Sequence, residues 1–268
     1  MLVSRRSAAM LSPALAFLLL AGSAAATAVG QEGDSGQTSS DSEAMPAREE
    51  SHQIYDLEPG STVRVTGIAG PVLIETGSGD YAEVDILRMA ATERELQCYR
   101  TEVSASADSL TIRHVQSRER SCNSIRSRQE VRLRLPPSVN IDLSTIAGRV
   151  EIGPVDGMLR LESIAGRVTV ARARAVEIDS LAGGLSLGVA ALAPQGVRIS
   201  SVVGSVDLRL ERDVDADIRL DSVMGSVSSL SPAVDVVEED GAYRARAGAG
   251  GGRISVSSVV GRVRLHRL

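Results

Sequence analysis

The chain has 268 residues, a formal charge of −5, 2% aromatic residues, one Phe and no Trp. So few rings exclude the stacking platforms that hold sugars or single-stranded nucleic acid. The acidic balance also disfavours a nucleic-acid partner, and the core must be built from Val, Leu, Ile and Ala.

Residues 1–28 read as a signal peptide. Arg5 and Arg6 precede an apolar run from Pro13 to Ala21, and Ala26-Thr27-Ala28 offers a small-residue cleavage site. The run is too short for a comfortable membrane span, so no integral span is expected after cleavage. Residues 29–52 are expected to be a disordered tether. Ser, Gly, Asp, Glu and Gln dominate there, and almost nothing apolar is left to bury.

Residues 53–140 predict an antiparallel β-sheet, or a longer-stranded cap. Tyr81–Met89, Tyr99–Ser106, Ser109–Val115 and Glu130–Leu135 alternate apolar and polar residues. Turns are expected at Asp108-Ser109 and Pro136-Pro137. Cys98 and Cys122 are the only cysteines. In an exported chain such a pair reads as a disulfide, which would pin this cap. Arg113, Arg118, Arg120, Arg126, Arg128, Arg132 and Arg134 crowd the same segment, a candidate patch for anionic envelope polymer or lipid phosphate.

Residues 141–268 carry the strongest signal. A twelve-position pattern recurs, as in Leu159-Arg160-Leu161-Glu162-Ser163-Ile164-Ala165-Gly166-Arg167-Val168-Thr169-Val170. Other copies begin at Val63, Ile141, Val176, Val197, Ile218 and Ile254. Alternation marks a strand with one buried face. Midway the alternation slips by one residue, which a bend must absorb. Each copy therefore predicts strand, corner, strand. The last six copies start 18, 17, 21, 21 and 36 residues apart, and the last interval suggests a degenerate turn between Gly225 and Gly261.

Fixed-period repetition points to an all-β, single-stranded β-solenoid, parallel β-helix-like, of about six to seven short rungs behind the sheet cap. Stacking assigns roles to the recurring residues. Gly70, Gly148, Gly166, Gly183, Gly204, Gly225 and Gly261 avoid crowding just after the corner. Thr145, Ser163, Ser180, Ser201, Ser222 and Ser258 sit at the corner, where a hydroxyl can satisfy a backbone group freed by the bend.

Outward residues should align in columns. Asp142, Arg160, Glu177 and Arg198 would alternate in sign, each neighbouring pair favouring the register by well under ~1 kcal/mol. Ala147, Ala165, Ala182, Val203, Met224 and Val260 would form an apolar contact stripe. The last copy ends at Leu265. An uncapped rung there would offer backbone groups to another chain, and two copies pairing through it would make a homodimer.

Here a resemblance becomes specific. It is carried by Ser61-Thr62-Val63-Arg64-Val65, Gly67-Ile68-Ala69-Gly70, Asp80-Tyr81-Ala82-Glu83-Val84 and Leu110-Thr111-Ile112. Val131-Arg132-Leu133-Arg134-Leu135-Pro136 and the run from Asn140 to Gly148 continue it. Over roughly residues 54–268 these segments resemble a bacterial family of β-strand-repeat domains of unknown function, often labelled "putative adhesin". The resemblance implies an exported, right-handed β-solenoid-like domain of the cell envelope, periplasmic, surface-bound or secreted. It implies no catalytic residue, and the residues give no reason to expect a cofactor or metal. Ala147, Ala165 and Val203 stand where family members often have Asn.

The residues themselves point the same way. His52, His114 and His266 lack ligand spacing. Asp213, Asp215 and Asp217 lack the loop of a calcium motif, and Gly248 to Gly252 lack the Lys and helix of a phosphate cradle. The expectation is a non-enzymatic scaffold or adhesin-like surface whose partner is an envelope protein or surface polymer. The alternatives are a subunit of an envelope stress or regulatory complex binding a membrane protein, and a polysaccharide-acting β-helix enzyme, which would need convergent carboxylates.

Overall fold

A computed structural model describes residues 45–117, 122 and 127–268. The expected signal peptide lies outside them, as do Arg118, Arg120 and Arg126. The described chain is all-β apart from one short helix, with its strands in one large mixed sheet that does not close. In order these are β1 (Ala47–Asp56), β2 (Thr62–Thr66), β3 (Val72–Thr76), β4 (Tyr81–Ala90), α1 (Glu93–Cys98), β5 (Tyr99–Ser106) and β6 (Ser109–Gln116). Then come β7 (Ser127–Leu135), β8 (Asn140–Ala147), β9 (Val150–Val189), β10 (Val197–Leu210), β11 (Ala216–Ser229), β12 (Val234–Glu239), β13 (Ala242–Ala247) and β14 (Gly252–Arg267).

The repeated copies lie side by side in parallel. The opening residues of successive copies are register partners: Val63 with Ile141, Ile141 with Leu159, Val176 with Val197, and Val197 with Ile254. Their inward residues form a continuous aliphatic core that includes Val65, Leu143, Leu161, Ile178, Ile199 and Val256. A thin core needs no rings, which is how the composition is satisfied.

The corner has a definite backbone origin. Thr145, Ser163, Ser180, Ser201, Ser222 and Ser258 adopt left-handed φ values between +53° and +59°. One residue in that region turns the chain and exchanges the buried and exposed phases on either side. Three positions later comes glycine, as at Gly204 with φ +139°. A Cβ there would run into the carbonyl oxygen of Gly183 in the neighbouring copy.

Three expectations require correction. First, β1 begins at Ala47, inside the segment expected as a tether, and pairs antiparallel with β4 along its whole length. Its polar outer residues hid the strand: Ala47 is its only fully buried side chain. Second, residues 53–140 are not simply an antiparallel cap. β6 pairs in parallel with β2, and β7 in parallel with β3, so these two strands extend the stack; β1, β4 and β5 are antiparallel. α1 interrupts the strands, its N-cap Thr92 accepting a hydrogen bond from the Glu95 amide.

Third, no degenerate turn lies between Gly225 and Gly261. That stretch is the antiparallel hairpin β12–β13, turned at Asp240 and Gly241 with positive φ at both. After it the chain returns and β14 enters between β10 and β11. The copy ending at Leu265 is therefore an interior strand and not an uncapped terminal rung. Counting residues between copies measures the path and not the point to which the chain returns.

Candidate contact surface

The apolar column assembles on the outer surface. Ala147 is the register partner of Ala165, Ala182 of Val203, Val203 of Val260, and Val260 of Met224. Ala69 extends the column through a parallel bridge to Ala147. The corner does not bury this position: Val203 is 60%, Val260 47% and Met224 71% exposed. Because β14 enters between β10 and β11, the order across the surface from Ala69 is Ala, Ala, Ala, Ala, Val, Val, Met. The stripe therefore grows bulkier toward β11. The exposed corner hydroxyls flank it on one side, and Arg149, Arg167 and Arg262 follow two residues farther along the chain.

The charge column also assembles. Arg64 meets Asp142 at 3.2 Å, and Glu177 lies 2.9 Å from Arg160 and 3.7 Å from Arg198. These side chains are solvent-exposed or nearly so, and each pair contributes about 0.5 kcal/mol at most. Their effect is to disfavour a slipped register, since a slip would misalign the alternating signs.

Of the arginine cluster, the described members Arg113, Arg132 and Arg134 each meet an acidic side chain. Arg113 on β6 meets Glu102 at 2.6 Å; Arg132 on β7 meets Glu130 at 2.6 Å. Arg134 sits between Glu75 and Glu83 at 3.6 and 3.5 Å. Arg128 is on β7, opposite Met89. β6 and β7 join different branches of the sheet and meet where Gln129 hydrogen-bonds His114. Cys98 and Cys122 form a disulfide with a Cα separation of 5.5 Å, tying the end of α1 to the segment between β6 and β7.

Among the described residues no group of three or more His, Cys, Asp and Glu side chains could hold a metal ion. His52 meets Asp85 at 2.7 Å and His266 lies 3.8 Å from Asp207. His114 is half-buried, stacks on Tyr99 and shares a 2.6 Å hydrogen bond with Gln129. Burial pushes its pKa below 6.5; the Gln129 hydrogen bond opposes this, and the Arg88 charge adds to it. The acidic run and the glycine run turn out to be partners. Asp215 accepts from the Ala249 amide at 2.8 Å, and Asp217 accepts from Gly251 at 2.9 Å and Arg246 at 3.0 Å. The Gly251 amide, then Arg246, holds the Asp217 carboxyl below its usual value. These amides are thus occupied by carboxylates of the same chain.

A shallow groove of about 680 Å³ over β11–β14 was not visible in the sequence. Arg219 with Asp221 and Arg244 with Glu239 close it in ion pairs of 2.7 and 2.8 Å. Its lining comes from four strands, and only the unforeseen hairpin brings them together.

No protein-family model and no curated protein matches this chain. Among solved structures it is similar to a "putative cell adhesion protein" from Clostridium sporogenes ATCC 15579, at 11% identity and TM-score 0.41, covering 82% of this chain and 100% of that one. It is also similar to a "putative adhesin" from Bacteroides fragilis NCTC 9343, at 11% identity and TM-score 0.36, covering 82% and 98%. A third, a "putative lipid binding protein" from Parabacteroides distasonis ATCC 8503, has 7% identity and TM-score 0.25 over 82% and 96%. Likeness at this level does not say what the present chain binds.

Proposed function

We propose that this chain is an exported, non-catalytic binding scaffold of the cell envelope, whose stacked copies form a β-solenoid of the adhesin-like repeat type. The observation that carries the binding reading is the exposed column ending in Val203, Val260 and Met224. Bulky apolar side chains held in register on a rigid sheet lose area to water unless a partner covers them. A partner protein with an apolar face fits this stripe better than a polysaccharide, because the aromatic subsites of sugar binders are lacking. In-register parallel pairing supports the solenoid reading, and β9 alone carries repeat segments over 40 residues. The disulfide supports folding in an oxidising compartment, which fits a periplasmic, surface-bound or secreted location.

The test replaces the outermost side chains. Met224→Asp and Val260→Asp should leave circular dichroism and the unfolding midpoint near those of the parent. They should abolish retention of a specific envelope protein in a pull-down with the exported domain, or reduce its self-association. Unchanged retention and unchanged oligomer mass would overturn the reading. Retention of polysaccharide alone would move the contact surface elsewhere.

A further inference from the structure

The β11 end of the stack is complete on one arm and open on the other. β13 pairs with β11 over Ala216–Asp221 and β12 pairs with β13, so two strands continue the first arm. The second arm, Val223–Ser229, pairs with β14 along one edge and with no described strand along the other. Val223 and Val227 of this arm, with Val236 and Tyr243 of the hairpin, pack against the core yet are only partly buried. The register equivalents Val259 and Val263 are 0% exposed. The layer is thus half built. A cleft of about 900 Å³ lies between arm and hairpin, lined by Val227, Leu230, Val234, Val236, Glu238 and Tyr243.

Charge sets this edge apart. β1 carries Arg48, Glu49 and Glu50, β5 carries Arg100 and Glu102, and β12 carries Asp235, Glu238 and Glu239. Charged side chains on edge strands discourage pairing with other chains. From Ser222 to Pro232 there is no charged residue. The ionisable side chains lining the cleft are the acids Asp235 and Glu238 and the phenol of Tyr243.

We propose that Val223–Ser229 accepts an added β-strand from a partner protein: an extended segment with aliphatic residues at alternate positions and a basic residue to meet Glu238. Backbone pairing extends the sheet, and the incoming aliphatics complete the layer against Val236 and Tyr243. A second copy is a poorer occupant: its own Val223–Ser229 arm carries no basic residue to meet Glu238, the described edges β1, β5 and β12 are mixed or acidic, and the basic, aliphatic β14 is interior. The arm shares only Met224 with the outward stripe, whose other members lie on β8, β9, β10 and β14.

The test uses a fluorescein-labelled peptide of about ten residues, with Val alternating with Thr and one Arg near an end, titrated into the purified chain by anisotropy. Binding should saturate and weaken about tenfold in Glu238→Arg, an exposed position where folding is not at stake. Ser229→Pro, at the end of the arm, should abolish it. Val203→Ser, in the stripe but on β10 and outside the arm, should leave it unchanged, so the edge and the stripe can fail independently. A peptide with Pro at every second position should not bind. Absence of saturable binding by the natively folded chain overturns the proposal, as does equal binding by Glu238→Arg. So does a dimer that forms through this arm and excludes the peptide.

Discussion

At the scale of single residues, the corner is where backbone strain is concentrated. Thr145 is β-branched and sits at φ +55°, a region that costs an L-residue roughly 1–2 kcal/mol. Thr145→Gly relieves that strain and loses part of the gain to the unfolded chain, leaving a net stabilisation of about 0.5 kcal/mol. Chemical denaturation should show a higher midpoint; a lower one would mean the hydroxyl makes a contact worth more than the strain. The sequence marked this residue as a corner but suggested a hydrogen-bonding role. Ser and Thr are not habitual left-handed residues, so local propensity carried no hint. The conformation follows from stacking, because the first copy has Gly67 at the same place with φ +78°. His114 gives a second residue-scale prediction. Its folded pKa is lowered by burial, so between that value and 6.5 the unfolded chain binds more protons and stability rises with pH. Acidification through the window just below 6.5 therefore destabilises the fold. His114→Gln should flatten this limb when midpoints at about pH 7 and pH 5.5 are compared. The Asp217 contribution is lost only as pH falls below 3.8, so the two are separable.

At the scale of elements, the terminal strand occupies an interior place. Chain ends usually fray, but β14 is paired over its length with β10 on one side and β11 on the other. The Leu268 amide donates to the Leu210 carbonyl, and Arg212 donates to the Leu268 carbonyl. Hydrogen exchange should find the amides of Val256, Val259 and Val263 among the slowest, and those of Val227 to Ser229 in the open arm much faster. Fast exchange in β14 would mean that it does not hold the interior position. These elements differ in how legible they were. The Asp240-Gly241 pair between alternating segments is a hairpin signal, and Thr92 followed by Glu95 is a capping box; both were present in the sequence. The insertion of β14 was not, because register equivalence among copies permits several orders, and only the hairpin's occupation of the β11 edge selects one. The strands of residues 53–140 were legible by alternation. Their parallel direction was not, since alternation is the same in either direction.

At the scale of the whole described body, the solenoid proposed above would be a nearly one-dimensional array, in which each copy contacts only its neighbours and stability is shared between adjacent interfaces. The glycine line makes this testable. A Cβ on Gly183 would intrude on the Gly166 carbonyl, and the Gly183 carbonyl is itself approached by Gly204. Neither backbone can withdraw without disturbing the copy beyond it. Gly225 belongs to the same line but lies on the open arm, where a Cβ would intrude only on Gly261 and the arm can swing outward. The two substitutions are chemically identical and differ only in position. Gly183→Ala should cost about 3 kcal/mol and divide the stack, so that fluorescence-free probes such as circular dichroism and calorimetry show two transitions. Gly225→Ala should cost less, about 2 kcal/mol, and keep one transition, because the strain of its positive φ remains but an arm paired along one edge can relieve the clash. It should also weaken the strand-accepting edge while the interior remains intact. Equal destabilisation by the two would show that the body unfolds as a single cooperative unit, with coupling that reaches well beyond neighbouring copies.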